Sequence, residues 1–478
     1  LTSAPRGPEV NELFARIDNG QSGAHTVAIS EPSKDDCSAC ETFEGQQAKR
    51  SGAEFLGASQ DGSKVFFRTS QPLLGGDSSN NIYEYDFDAP AGQRVVRVSG
   101  GDATVSDPVA NVFGHPQISE DGSHVYFFAK GVLTTTPNGF GQSAQPDANN
   151  LYVFERDARY PAGHMAFVAT LSADAVEELW KNLTPTGADL TPDGRFLLFT
   201  SHTDLTPDDT STAQQVFRYD ADPTQAEGEA NTPSLVRISV GQGGFNDNGN
   251  TSVDDAEIVS PASGFEDTVE EEEYNPDAYA TYRSISANGE YVFFQSPDGL
   301  TPEALNNKVV GTVENGGFKG QPLHAMNVYE YRDGVVSLIS DGRDLTHLQD
   351  VSIVKLVGTS ESGNDVFFDT SDQLVAQDTD DNLDVYDARI DGGFPAPPAP
   401  SGCLGEACQG QLSSAPTLLS PGSEFQAGAN PPLVGPAPTV ASKPKPKKPK
   451  PKKCGKGTSL KHGRCVKRKA KKSATGRK

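Results

Sequence analysis

The sequence predicts an all-β protein: a β-propeller of about five to six four-stranded blades, followed by a disordered, proline-rich linker and a basic tail. Three observations predict it. One strand-turn-strand unit recurs five times, its turns carry the residues a tight hairpin needs, and two further strand-like units follow the copies in constant order.

The five copies are FLGASQDGSKVFFRTS (55–70), PQISEDGSHVYFFAK (116–130), ADLTPDGRFLLFTS (188–201), RSISANGEYVFFQS (283–296) and LVGTSESGNDVFFDTS (356–371). Asp61-Gly62, Asp121-Gly122, Asp193-Gly194 and Asn288-Gly289 place a hydrogen-bonding Asx side chain beside a residue that accepts positive φ, so these pairs are read as structural turns. Ser362-Gly363 is a weakened fifth copy. The run after each turn, such as Val65-Phe66-Phe67, is apolar on consecutive positions and too short for a helix, as expected of a strand covered on both faces.

A third strand follows as IYEYD (82–86), LYVFERD (151–157), VFRYD (216–220), VYEYRDG (328–334) and VYDARIDGG (385–393). A fourth is RVVRVS (94–99), MAFVATLS (165–172), SLVRIS (234–239) and VVSLIS (335–340). The long spacing between units is assigned to inserted loops, among them 301–323 and the acidic stretch 254–277 with Glu270 to Glu273. One helical pattern, near 172–182, is read as a decoration with Ser172 capping and Trp180 packing inward.

Residues 12–20 and 25–30 match the third and fourth strands of a unit whose first two are missing. The expected organisation is a propeller over 1–394, with a half blade at 1–52 and full repeats from 53, a Pro/Ala/Ser/Gly linker at 395–441 and a Lys/Pro tail at 442–478. The ring would close either by 25–30 completing the last blade or by sequence upstream of Leu1. Six blades are expected of the intact protein. The start at Leu1, in blade-like sequence, suggests a mature or truncated chain whose export signal lay upstream.

Charge divides the chain of 478 residues. From Ala441 onward there are 17 Lys and Arg and no acid, which leaves 23 bases against all 65 acids in the part before it, a formal charge of −42. Such a body repels nucleic acid and anionic membranes and tolerates cations such as Ca²⁺. No run of 18 apolar residues is present, so no membrane-spanning helix is expected.

The six cysteines fall in local pairs, Cys37 with Cys40, Cys403 with Cys408 and Cys454 with Cys465, which read as small disulfide loops in an oxidising, extracellular or cell-surface setting. A redox pair at Cys37 and Cys40 would need a βαβ context, and a zinc site would need a second ligand pair nearby; the sequence offers neither.

On these residues the unit SxDGxxVFFxTS…VYEYD, with Thr191 to Gly194 and LVAQDTDDNLDVYDARIDGGF (374–394) as its most telling stretches, resembles the WD40-like β-propeller repeat of the Tol-Pal translocation propeller and of exported actinobacterial proteins. The resemblance spans about 55–394. It implies a binding scaffold rather than a reaction, and it transfers no catalytic residue.

The search for chemistry is mostly negative. There is no GxSxG elbow, HExxH helix, P-loop or GxGxxG cradle. His115, His124, His202 and His324 show no ligand spacing. Asp378, Asp380, Asn382 and Asp384 place oxygen ligands at alternate positions, as calcium prefers, so calcium is the one cofactor the sequence offers. No catalytic residue is assigned.

The first functional expectation is therefore a noncatalytic secreted or surface scaffold that binds an unidentified protein or glycan, its tail on an anionic envelope polymer. Nucleic acid is not expected as a partner, because the tail has no aromatic residue to stack on bases. The alternatives are a carbohydrate-active propeller enzyme using channel carboxylates about 5 to 9.5 Å apart, and a Tol-type envelope assembly scaffold.

Overall fold

The computed structural model describes residues 10–40, 51–76, 79–106, 108–172, 187–222, 235–242, 255–259, 283–314, 319–348, 351–390, 392–393, 458–461 and 464–467. The chain divides into two units, Leu1–Ala399 and Pro400–Lys478.

The first unit is a series of antiparallel sheets in chain order. Phe14–Ile17 and His25–Ala28 form an N-terminal pair. The first sheet joins Ala53–Ala58, Lys64–Thr69, Asn81–Asp86 and Val95–Arg97; the second joins Val112–Ile118, His124–Ala129, Asn149–Glu155 and His164–Leu171; the third joins Ala188–Leu190, Phe196–Ser201, Gln215–Asp220 and Leu235–Arg237. The fourth has Val292–Ser296, Asn327–Arg332 and Val335–Leu338, with isolated bridges from Ile285 to Val292 and from Glu257 to Gln295 along its inner edge. The fifth has Lys355–Thr359, Asp365–Thr370 and Asp384–Arg389.

Each sheet is a meander, so neighbours in sequence are neighbours in the sheet. The consecutive apolar positions explain the stacking. Phe66 faces the second sheet while Phe67 faces the N-terminal pair; Phe127 faces the first sheet while Tyr126 faces the third. The same alternation carries on through Leu198 and Phe199 and through Phe293 and Phe294 to the fifth sheet. Successive sheets thus bury each other's faces about a common inner edge, which is a propeller fold. The ring is not closed.

Three polar devices recur. In the inner turn of the first sheet, the Ser59 hydroxyl donates to Asp61 Oδ1 (2.6 Å), Asp61 accepts the Ser63 N–H (2.9 Å) and Ser59 Oγ accepts the Lys64 N–H (3.0 Å). Ser119 with Asp121, Thr191 with Asp193 and Ser286 with Asn288 repeat it. In the third strands, Tyr152 and Tyr329 donate to Gly131 and Asp298 carbonyls at 2.8 and 2.6 Å and accept the N–H of Leu133 and Leu300. After the fourth strands, Ser99, Ser239 and Ser340 accept the N–H of Ile82, Val216 and Val328.

The N-terminal pair uses the last device too, Ser30 accepting the Leu13 N–H at 2.9 Å, which marks it as strands three and four of a repeat. It packs against the first sheet through Leu13, Ala15, Val27 and Ile29. Residues 25–30 therefore do not complete the last blade: His25–Ala28 pairs with Phe14–Ile17, and the fifth sheet keeps three strands. The loop after the pair is closed by a Cys37–Cys40 disulfide.

Two small hairpins stand where only loops were expected, Val309–Thr312 with Pro322–His324, and His347–Leu348 with Val351–Ser352. In the second unit Thr458–Lys461 pairs with Arg464–Lys467. The expected helix beyond Ser172, the linker, and the side chains of Cys403, Cys408, Cys454 and Cys465 lie outside the described residues. Among the described residues no helix is long and apolar enough to cross a membrane.

Candidate functional site

The inner edges of the sheets carry charged side chains among their apolar ones, Glu54, Asp189, Glu257, Arg283 and Lys355. Hydrogen bonds between successive inner turns hold these edges together: Gln60 N–H to the Glu120 carbonyl (2.6 Å), Glu120 N–H to Pro192 (2.9 Å) and Ala287 N–H to Glu361 (2.7 Å). Arg283 of the fourth sheet reaches Glu120 of the second at 3.1 Å, passing over the third, so the inner edges curve around a shared interior. Asp189 accepts the N–H of Ser284 (2.6 Å) and Ile285 (3.3 Å) and pins the third inner edge to the fourth. Burial raises its carboxyl above the usual range, but both N–H bonds oppose that, which is the signature of a structural role.

The fourth and fifth sheets place a polar row on this interior. Glu257 and Gln295 exchange backbone hydrogen bonds, and Gln295 Nε2 donates to Glu257 Oε2 at 2.6 Å. Gln295 Oε1 accepts the Leu356 N–H at 2.8 Å, carrying the row onto the fifth sheet. There Lys355 pairs across the strands with Asp369.

The Glu257 and Asp369 carboxyls both lie above their ordinary range, with burial the largest cause and the Lys355 charge opposing it in each. Glu257 is open to solvent and still crowded by surrounding protein, as a group inside a recess would be. Two carboxyls of raised proton affinity that share one cationic neighbour are candidates for acid–base work.

A second acidic group lies where the connection from the fourth to the fifth sheet meets the loop between the last two strands of the fifth sheet. Asp344 is saturated: it accepts the N–H of Thr346 (2.8 Å) and Ser371 (3.0 Å) and the Thr370 hydroxyl (2.6 Å). Asp102 forms the same knot with Thr104 and Thr134 between the first two sheets. Asp341 and Asp372 have no such precedent. Asp372 Oδ2 is buried and meets no donor among the described residues, only the Asp341 carboxyl. Burial, Asp341 and Asp344 together push Asp372 up to about 7.

In the same loop Asp378, Asp380 and Asp384 bring carboxylate oxygens within 4.8 Å of one another. The Asn382 amide donates to Asp380 Oδ1 at 2.7 Å, which supports this turn from inside. Of the histidines, His202 faces Asp255 at 3.1 Å, and none joins a converging metal-ligand group among the described residues. An open cleft of about 680 Å³ lies along Thr312, Glu314, Lys319 and His347, beside the first extra hairpin.

Sequence reasoning missed the inner row. Glu257 lies inside the acidic stretch read as an insertion, although residues 255–259 border the fourth sheet's inner edge. Lys355 immediately precedes a recognised repeat and Asp369 lies inside it, and the signal that could have found them is the pair of opposite charges placed across its first two strands.

No family model matches the chain, and no curated protein matches it. The WD40-like, Tol-Pal-type resemblance therefore has no family model behind it. Solved structures of similar fold include the β-propeller domain of the Trilobed protease from Pyrococcus furiosus, at 10% identity over 71% of each chain with a TM-score of 0.29. A prolyl endopeptidase is similar at 10% identity and a TM-score of 0.30; the match takes in 77% of this chain and 42% of that one. The oligogalacturonate lyase from Vibrio parahaemolyticus is similar at 14% identity over 80% of this chain and 83% of its own, with a TM-score of 0.23.

The noncatalytic scaffold expected from the sequence is corrected here. That expectation assigned no catalytic residue, whereas the row of Glu257, Lys355 and Asp369 supplies candidate acid–base groups.

Proposed function

We propose that this chain is a carbohydrate-active hydrolase whose acid–base groups are Glu257 and Asp369. The observation that carries the reading is the inner row itself: two carboxyls with raised proton affinity, each within the field of the Lys355 charge. Glu257, whose burial raises its proton affinity and which Gln295 holds in place, donates its proton to the leaving glycosidic oxygen. Asp369 takes a proton from the attacking water, and Lys355 favours its ionised form.

The test is turnover of a panel of neutral and acidic oligosaccharides by the full chain, read as new reducing ends. Glu257→Gln is expected to lower kcat by about 100-fold or more while KM changes little. Failure to release product from every sugar ends this reading.

Two further proposals accompany it. The Cys37–Cys40 disulfide supports an oxidising, extracellular or cell-surface setting. Asp378, Asp380 and Asp384, with Asn382 beside them, would hold calcium through hard oxygen ligands. Saturating Ca²⁺ should then raise the melting temperature by a few degrees, and a melting temperature that does not move removes the site.

A further inference from the structure

We propose that the outer face of the fifth sheet docks the N-terminal strand pair of a second copy of this chain, the two stacked head to tail as consecutive sheets are stacked within one copy. The argument rests on equivalent positions in the repeat. By register, Val385 occupies the place of Ile82, Leu151, Val216 and Val328, and Phe367 that of Phe66, Tyr126, Leu198 and Phe293. Those eight side chains are buried by the sheet that follows. Among the described residues no sheet packs on this face, and Val385 is 67% and Phe367 37% exposed, with Leu383 and Val375 exposed as well.

The opposite end of the stack has the complementary defect. Phe14 pairs with Ala28 as Tyr83 pairs with Arg97, so it holds the place of Tyr83, Tyr152, Phe217 and Tyr329, all buried against the sheet that precedes them. Among the described residues no strand precedes the N-terminal pair, and Phe14 is 61% exposed.

One chain thus displays both halves of the interface that it forms five times internally: a face awaiting a following sheet and a face awaiting a preceding one. Its own pair is committed to the first sheet by Leu13, Ala15, Val27 and Ile29, and its Phe14 side remains free to meet another copy. Two different surfaces meeting head to tail make a heterologous contact, which propagates unless geometry closes it. Exposed apolar stripes on sheet faces are the surfaces that drive such association.

The test is sedimentation of the full chain across a wide concentration range. Wild type should associate as concentration rises. Val385→Asp and Phe14→Asp, both at exposed positions that tolerate charge in the monomer, should each weaken association by about tenfold or more. Each variant keeps the half the other has lost, so an equimolar mixture should form dimers and nothing larger. A wild type that stays monomeric overturns the proposal, whether its own pair covers the face or the face stays bare. Variants that fail to pair when mixed overturn it as well. Neither outcome depends on catalysis, so it stands or falls apart from the acid–base row.

Discussion

Asp372→Asn should leave stability unchanged near pH 4 and make the chain more stable than wild type above about pH 7. The Asp372 carboxyl, at about 7 in the folded chain, lies well above its unfolded value of about 4. Between those values the folded state holds a proton that the unfolded state has released, so wild-type stability falls as pH rises through this window and levels off above it.

Asn carries the shape of the protonated acid and cannot ionise, so the variant loses this slope. The unscreened difference is about 4 kcal/mol. Solvent on the half-exposed Asp372 reduces it to about 1–2 kcal/mol. Arg343 opposes the shift, while Asp341 and Asp344 drive it. Glu84, Asp189 and Glu257 are raised as well and tilt both proteins alike, so the quantity to measure is the difference in urea midpoint between variant and wild type across pH. A difference independent of pH would show that Asp372 shares no proton with Asp341.

Gly289→Ala should destabilise the chain by about 2–5 kcal/mol. Gly289 has φ +72, which costs an L-residue about 1–2 kcal/mol. A Cβ there would also lie 2.1 Å from the Phe196 ring of the preceding sheet, and relieving such an overlap costs about 1–3 kcal/mol more. The Arg218 guanidinium stacks on Phe196 and donates to the Gly289 carbonyl at 2.8 Å, so the disturbance reaches the contact between the third and fourth sheets. Gly20→Ala is the control: its φ is +82 with nothing within 4 Å, so it should lose the backbone part alone. Equal urea midpoints for the two variants would refute the packing argument.

The repeat was legible because its physics is local. A Ser-x-Asp-Gly turn states its own hydrogen bonds, and Val65-Phe66-Phe67 declares a strand covered on both sides. What the sequence hid depends on neighbours distant in the chain. Gly289 reads as a turn glycine, but the ring of Phe196 forbids a side chain there as firmly as the backbone does. Glu257, in a stretch dominated by acids, looks like solvated loop until Gln295 bonds to it. Asp341 and Asp372 are 31 residues apart in numbering, and only the joining of two loops makes them partners. The Asp378 to Asp384 cluster was visible from its alternation, because its carboxylates stand close together in the chain.

The chord from Arg283 to Glu120 gives the stack an uneven resistance to opening. Hairpins between adjacent strands form early because they close short loops, whereas this ion pair forms only after the intervening sheet has been laid down. The second, third and fourth sheets are therefore expected to open together more readily than one at a time. The fifth, held on a single side, is the natural point of entry for fraying and for proteolytic attack.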